Sequence, residues 1–204
     1  MTNTTHHTSP SPTPLTRAAL VAGPVALGAY GVIRLLSERG TPSAGWTAGH
    51  LAMLVGVLLF VPVMVWLRGL APEGRRLPAA IALGVGLVGA FVTAVQAVID
   101  LVAGLVADDR AGMVEIFQQV KAVPGVEPVV YGVVPPLFFV GVIALAALTS
   151  LPARTRVVMA GALTLGTVLM ALDLNFLALG GLCFLLALAP LAPGSRVAPL
   201  PRTN

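Results

Sequence analysis

Charged residues are scarce in this chain. Asp, Glu, Lys and Arg together make up 10% of the 204 residues, where a soluble domain carries about 25%. Water is therefore not the solvent for most of the sequence, and reasoning about a soluble core does not apply. Cysteine is scarcer: Cys183 is the only one, which excludes an intrachain disulfide and any CxxC redox or metal motif. Of the three histidines, His6 and His7 lie in the N-terminal tail. His50 is left alone near the apolar runs, so one chain cannot build a multi-histidine zinc or haem site. No HExxH, no GxSxG and no nucleophile with an adjacent base occurs. No phosphate-cradling Gly loop stands in a strand–loop–helix context, the glycines of the third span lying inside a helix. Neither a metal site nor a cofactor is expected. The formal charge is +4, but the basic residues stand singly or in pairs at the ends of apolar runs, where orientation signals belong. Nucleic acid is not an expected partner; the lipid bilayer is.

Hydrophobic sequence is abundant, at 57% of residues. It is gathered into runs long enough to cross a bilayer core of ~30 Å. The expected class is an all-α membrane protein, a bundle of about six transmembrane helices with one amphipathic surface helix. Residues 1–16 are rich in Thr, Ser, Pro, His and Asn and form an expected disordered tail. The transmembrane domain covers 17–189. Its first span, 17–36, follows Arg17 and is loosened at Gly23-Pro24. A secretory signal peptide is the rival reading, but the run continues through Tyr30, Gly31 and Arg34 without a clear cleavage site. The second span, 46–67, lies between Trp46 and Trp66, spaced as in an interfacial aromatic belt, and Pro62 should bend it. The third span is 79–106.

Segment 108–122 differs. Asp108 and Asp109 can cap a helix, and Met113, Ile116, Phe117 and Val120 repeat at i, i+3, i+4, i+7. This predicts an amphipathic helix lying on the membrane surface, ended by Pro124-Gly125. The fourth span, 128–149, should kink at Pro135-Pro136. The apolar run 157–189 holds Asp173 and Asn175 at its middle. As a single helix, in a five-span protein, it would be roughly 50 Å long against a ~30 Å core. A hairpin at 172–175 divides it into spans 157–172 and 175–189, giving six. Residues 190–204 form a second expected disordered tail.

Residues 79–104 organise the bundle. Ala79, Ala82, Gly86, Gly89, Thr93, Gln96, Asp100 and Gly104 fall on one stripe of a helix, and the rest of the circumference is Leu, Val, Ile and Phe. Such a helix belongs in lipid with its stripe against other helices. Ala82, Gly86 and Gly89 are the expected helix-packing residues. Asp100, Gln96 and Thr93 are the polar half of the stripe.

With six spans, Arg17, Arg68, Arg75, Arg76, Arg154, Arg156, Arg196 and Arg202 share one side, and Arg34, Arg39, Arg110 and Lys121 the other. The positive-inside rule places the first side, and with it both termini, in the cytoplasm. The expected location is the cell membrane, the inner membrane of a bacterium. This topology gathers Arg34, His50, Asp100, Glu127, Tyr131, Asp173 and Asn175 at one depth near the outer side. Asp100 is the deepest. A charge there costs at least ~2.5 kcal/mol, so it should face protein or water, with Arg34 or His50 as its partner. The candidate ligand- or proton-binding residues are Asp100, Gln96, Thr93, His50 and Arg34. Trp46, Trp66 and Tyr131 read as belt residues, and Asp173 and Asn175 as turn formers.

Three functions fit. The leading one is a non-catalytic membrane component, a sensor or the subunit of a membrane protein partner or homo-oligomer. The second is a small permease or proton-coupled carrier using Asp100, with broken helices at Gly23-Pro24 and Pro135-Pro136. The third is an intramembrane enzyme with His50 as base and Asp100 as its orienter.

Overall fold

The computed structural model describes residues 11–38 and 40–192, and among them every regular element is a helix. Thr13 Oγ1 accepts the Thr16 N–H at 3.1 Å, with Pro14 at the first helical position, and starts α1 (Pro14–Leu36). Ser43 Oγ accepts the Trp46 N–H at 3.1 Å and starts α2 (Ala44–Gly69). A 3₁₀ turn, Glu73–Arg75, leads into α3 (Arg76–Val106). Asp109 caps α4 (Arg110–Ala122) by accepting the Gly112 N–H at 2.8 Å. A π-helical segment, Glu127–Val133, then precedes α5 (Pro136–Leu148), α6 (Ala153–Leu172) and α7 (Leu177–Leu188).

Five helices are long and apolar enough to cross a membrane, and the bent pair Glu127–Val133 and Pro136–Leu148 makes a sixth when taken as one. The bend has a local cause. Pro135 and Pro136 carry no N–H, so the carbonyls of Tyr131 and Gly132 lose their usual donors four residues on. The helix widens to π geometry before the prolines. After them it tightens, with Leu137 N–H to Val134 O at 3.0 Å and Phe138 N–H to Pro135 O at 3.1 Å. The two pieces meet at 42°. Pro24 and Pro62 lie within α1 and α2, which both run unbroken.

The run 157–189 is two helices. Asp173 Oδ1 accepts the Asn175 N–H at 2.8 Å and opens the 3₁₀ turn Leu174–Phe176 between α6 and α7. Several boundaries differ from those read in the sequence. The first helix begins at Pro14, inside the tail expected over 1–16, because Thr13 caps it. The third begins at Arg76, three residues before the span read from 79, with Arg76, Leu77 and Pro78 exposed ahead of the buried Ala79. A last 3₁₀ turn, Ala189–Leu191, runs into the tail expected from 190, anchored by the buried Leu191. The tails over 1–10 and 193–204, with Arg196 and Arg202, lie outside the described residues, as does Arg39.

The helices form a closed ring in the order α1, α2, α3, α5, α6, α7 and back to α1, with α2 also touching α5 across it. Short connections make chain neighbours antiparallel. The small half of the α3 stripe sets the α3–α5 crossing. Ala79, Ala82, Gly86 and Gly89 are buried. A Cβ on Gly89 would collide with the Leu137–Phe138 backbone, and one on Gly141 with the backbone of Gly86. The two main chains touch there, which only small residues permit. Phe91, on the far face of α3, is 70% exposed. At mid-depth, Phe60, Phe138, Phe139 and Phe184 form an aromatic layer across the ring, with Phe60 and Phe138 edge to face at 5.2 Å between centroids. Beyond it, away from His50, Met64, Leu67, Leu145, Leu163 and Leu188 are fully buried and fill the ring.

Candidate functional site

At the other end of the ring, α2 and α3 bring His50 and Asp100 together. His50 lies near the start of α2 and Asp100 near the end of α3, so antiparallel packing puts them at one level. His50 Nε2 is 3.4 Å from Asp100 Oδ2, and the two side chains are 5% and 8% exposed. The other ring nitrogen, His50 Nδ1, is 2.8 Å from the Trp46 carbonyl. A carbonyl only accepts, so Nδ1 carries a proton in this contact. Nε2 then either accepts a proton from a neutral Asp100 or, as part of an imidazolium, donates to its carboxylate. Both arrangements hold one shared proton and no net charge, and a buried pair requires that neutrality.

Aromatic side chains enclose the pair. The Trp46 ring lies 4.2 Å from the His50 ring, and its Nε1–H donates to the Asp100 backbone carbonyl at 2.7 Å. Gly104, one turn after Asp100, makes room for the indole, since a Cβ there would collide with it. Tyr30 packs on the other side of His50 at 5.4 Å. Tyr131, from the π segment, donates its hydroxyl to Asp100 Oδ1 at 3.4 Å. The α4 helix covers this end. Met113 is buried, and Phe117 reaches Trp46 at 6.2 Å. Lys121 lies 5.4 Å from the Tyr131 ring centroid and 3.4 Å from Glu127. The α4 residues Ile116, Phe117 and Val120 are half-buried while Glu115, Gln118 and Gln119 are exposed, as the 3.6-residue pattern requires.

Arg34 stands apart from this pair. It is in none of the three ion pairs among the described residues, and it is hydrogen-bonded to the Tyr30 side chain. With Ser37, Trp46 and His50 it lines a small cavity of about 20 Å³, room for a single water.

A larger cavity of about 300 Å³ lies between His50's neighbours and the aromatic layer, lined from all six ring elements. Leu27, Met53, Val57, Phe139, Met170 and Leu177 supply apolar wall; Thr93, Gln96, Tyr131 and Thr167 supply polar groups. Thr93 and Gln96 thus face this space and are only half-buried, whereas Asp100 on the same stripe is buried against α2. The aromatic partners differ from the sequence reading. Trp46 and Tyr131, read there as belt residues, turn inward onto Asp100. Two spacings carried that signal: Trp46 is one helical turn before His50, and Gly104 one turn after Asp100. Among the described residues no cluster of three or more His, Cys, Asp or Glu side chains could hold a metal. Comparison with protein-family models, curated proteins and solved structures finds no match to this chain.

Proposed function

We propose that this chain is a multi-pass integral membrane protein acting as a non-catalytic binding component, a sensor or ligand-holding subunit. Its six-helix ring would accommodate a small lipid-soluble molecule. The carrying observation is the cavity of about 300 Å³ lined by every helix of the ring, within the size range of small-molecule sites and mostly apolar like them. A molecule there touches all six helices at once, so its presence can be felt across the bundle and by a partner or second copy on the apolar perimeter. The positive-inside rule places the His50 end outside and the filled end in the cytoplasm.

Two features favour binding over catalysis and transport. His50 and Asp100 do not line the cavity, so neither can touch a molecule held in it. The aromatic layer and the fully buried leucines beyond it oppose a through path. Of the two helix breaks that a carrier would be expected to show, only the one at Pro135-Pro136 is present, α1 being continuous at Gly23-Pro24. One observation keeps a proton-coupled carrier as the second reading: His50, Asp100 and Tyr131 form a chain of proton-bearing groups from the small cavity to the large one.

The test is native mass spectrometry of the full chain released from lipid nanodiscs, beside a cavity-filling variant, Thr167→Phe. A small molecule bound to the wild type and absent from the variant is the expected result. Identical adducts on both would reject the cavity as the binding site.

A further inference from the structure

The polar groups around the large cavity are not equivalent. Thr93 Oγ1 donates its proton to the Gly89 carbonyl at 2.8 Å, and Thr167 Oγ1 donates to the Leu163 carbonyl at 2.8 Å. Tyr131 donates to Asp100 Oδ1. Each of these hydroxyls has spent its one proton within the protein and offers the cavity lone pairs alone. The Tyr30 hydroxyl is engaged by Arg34. Gln96 is different. Among the described residues its carboxamide has no hydrogen-bond partner, so it keeps two N–H donors and a carbonyl acceptor. No Asp, Glu, Lys, Arg or His lines the space.

This inventory discriminates between ligand chemistries. A charged group would be buried without a counter-ion, which is costly. A hydrocarbon would leave the Gln96 amide unpaired. An ether or ester could accept from Gln96, but it has no proton for the oxygens of Thr93, Thr167 and Tyr131. A hydroxyl does both, accepting from the Gln96 N–H and donating to one of those oxygens. At ~30 Å³ for each water-sized group, the cavity holds a molecule of roughly ten non-hydrogen atoms, or that much of a longer chain.

The cavity also has a side. Gly132 and Pro136 on one edge, and Ala171 and Leu174 on the other, line it and are exposed at the perimeter. The contact there, between α5 and α6, is the least extensive between neighbours in the ring, and the π segment and Pro135-Pro136 leave α5 short on that edge.

We propose that the cavity takes an uncharged, hydroxyl-headed, lipid-soluble molecule, held by Gln96 and admitted sideways from the bilayer between the π segment and α6. This rests on the binding reading above and adds the ligand's chemistry and route. The test uses the full chain in phosphatidylcholine nanodiscs, photolabelled with a diazirine analogue of 1-octanol, with adducts mapped by mass spectrometry. Adducts are expected on 93–96, 131–139 and 167–174. 1-Octanol should compete about tenfold better than octyl methyl ether at equal membrane concentration, the scale of one hydrogen bond. Gln96→Leu and Gln96→Met should each weaken both competitors, because both accept from the Gln96 N–H. They should leave the preference for 1-octanol, which comes from donation to the Thr93, Thr167 or Tyr131 oxygens. If the ether competes equally while adducts stay in the cavity, the hydroxyl assignment falls and the binding reading stands. Adducts confined to the lipid-facing perimeter would overturn both. The wild-type competition decides the assignment without either variant.

Discussion

His50 and Asp100 meet at 3.4 Å across the α2–α3 contact, with the far nitrogen of the same imidazole tied to the Trp46 carbonyl at 2.8 Å. The ring is therefore held at both nitrogens, and its partner must match the proton that Nε2 carries or lacks.

The pair should be energetically coupled. Asp100→Leu leaves Nε2 buried without a partner and should cost ~1–3 kcal/mol. Asp100→Asn should be milder, because the amide can donate to a neutral Nε2. A double-mutant cycle with His50→Leu should give a coupling of about 0.5–3 kcal/mol. Arg34→Gln should be additive with Asp100→Leu. Thermal unfolding in detergent reads all of these, and a coupling to Arg34 larger than that to His50 would reject the arrangement.

Gly89 should tolerate nothing larger. Its missing Cβ is replaced by the Leu137–Phe138 backbone, so Gly89→Leu must push α5 away and lose typically ~1–3 kcal/mol or more. Phe91, 70% exposed, should accept Leu with a change of ~0.5 kcal/mol or less. Equal shifts in melting temperature for the two would mean that the stripe does not set the helix contact.

Trp46 and Gly104 should act as a pair. Gly104→Val drives the indole from its bond to the Asp100 carbonyl. The loss should therefore be large in the wild type and small in a Trp46→Ala background, a difference of about 0.5–3 kcal/mol. Additive effects in the melting curves would show that Gly104 does not house the indole.

The arginine distribution predicts which end faces out. In a Cys183→Ser background, cysteines at Ser43 and Gln118 should react with an impermeant reagent in intact cells. A cysteine at Gly74, in the exposed turn at the opposite end, should react only after lysis, and a reporter fused after Asn204 should be cytoplasmic. Labelling of position 74 from outside would invert the orientation.

Much of the helix plan was legible in the sequence because each signal is local. Capping at Asp109, the prolines at 135 and 136, and the polar pair Asp173 and Asn175 act within one or two turns of themselves, and hydropathy marks the runs between them. The buried stripe on α3 was legible for the same reason, since 3.6-residue periodicity is a property of one helix. Even the gathering of His50, Asp100, Tyr131 and Asn175 at one end follows from alternating direction along the chain.

The choice of partner for Asp100 was not legible. Arg34 and His50 stand at similar depth in the sequence reading, and a difference of one helix rotation decides which reaches the carboxylate. That rotation depends on the Gly104–Trp46 and Gly49–Tyr30 packing, which involves pairs more than fifteen residues apart in sequence. The cavity is likewise a product of the closed ring. No one helix encodes it, because it is the space left where six helices cannot all meet above an aromatic layer. One-dimensional pattern thus determined the elements, their apolar faces and the end at which polar groups collect. Tertiary packing alone decided which of those groups touch, and which face a space large enough to hold something else.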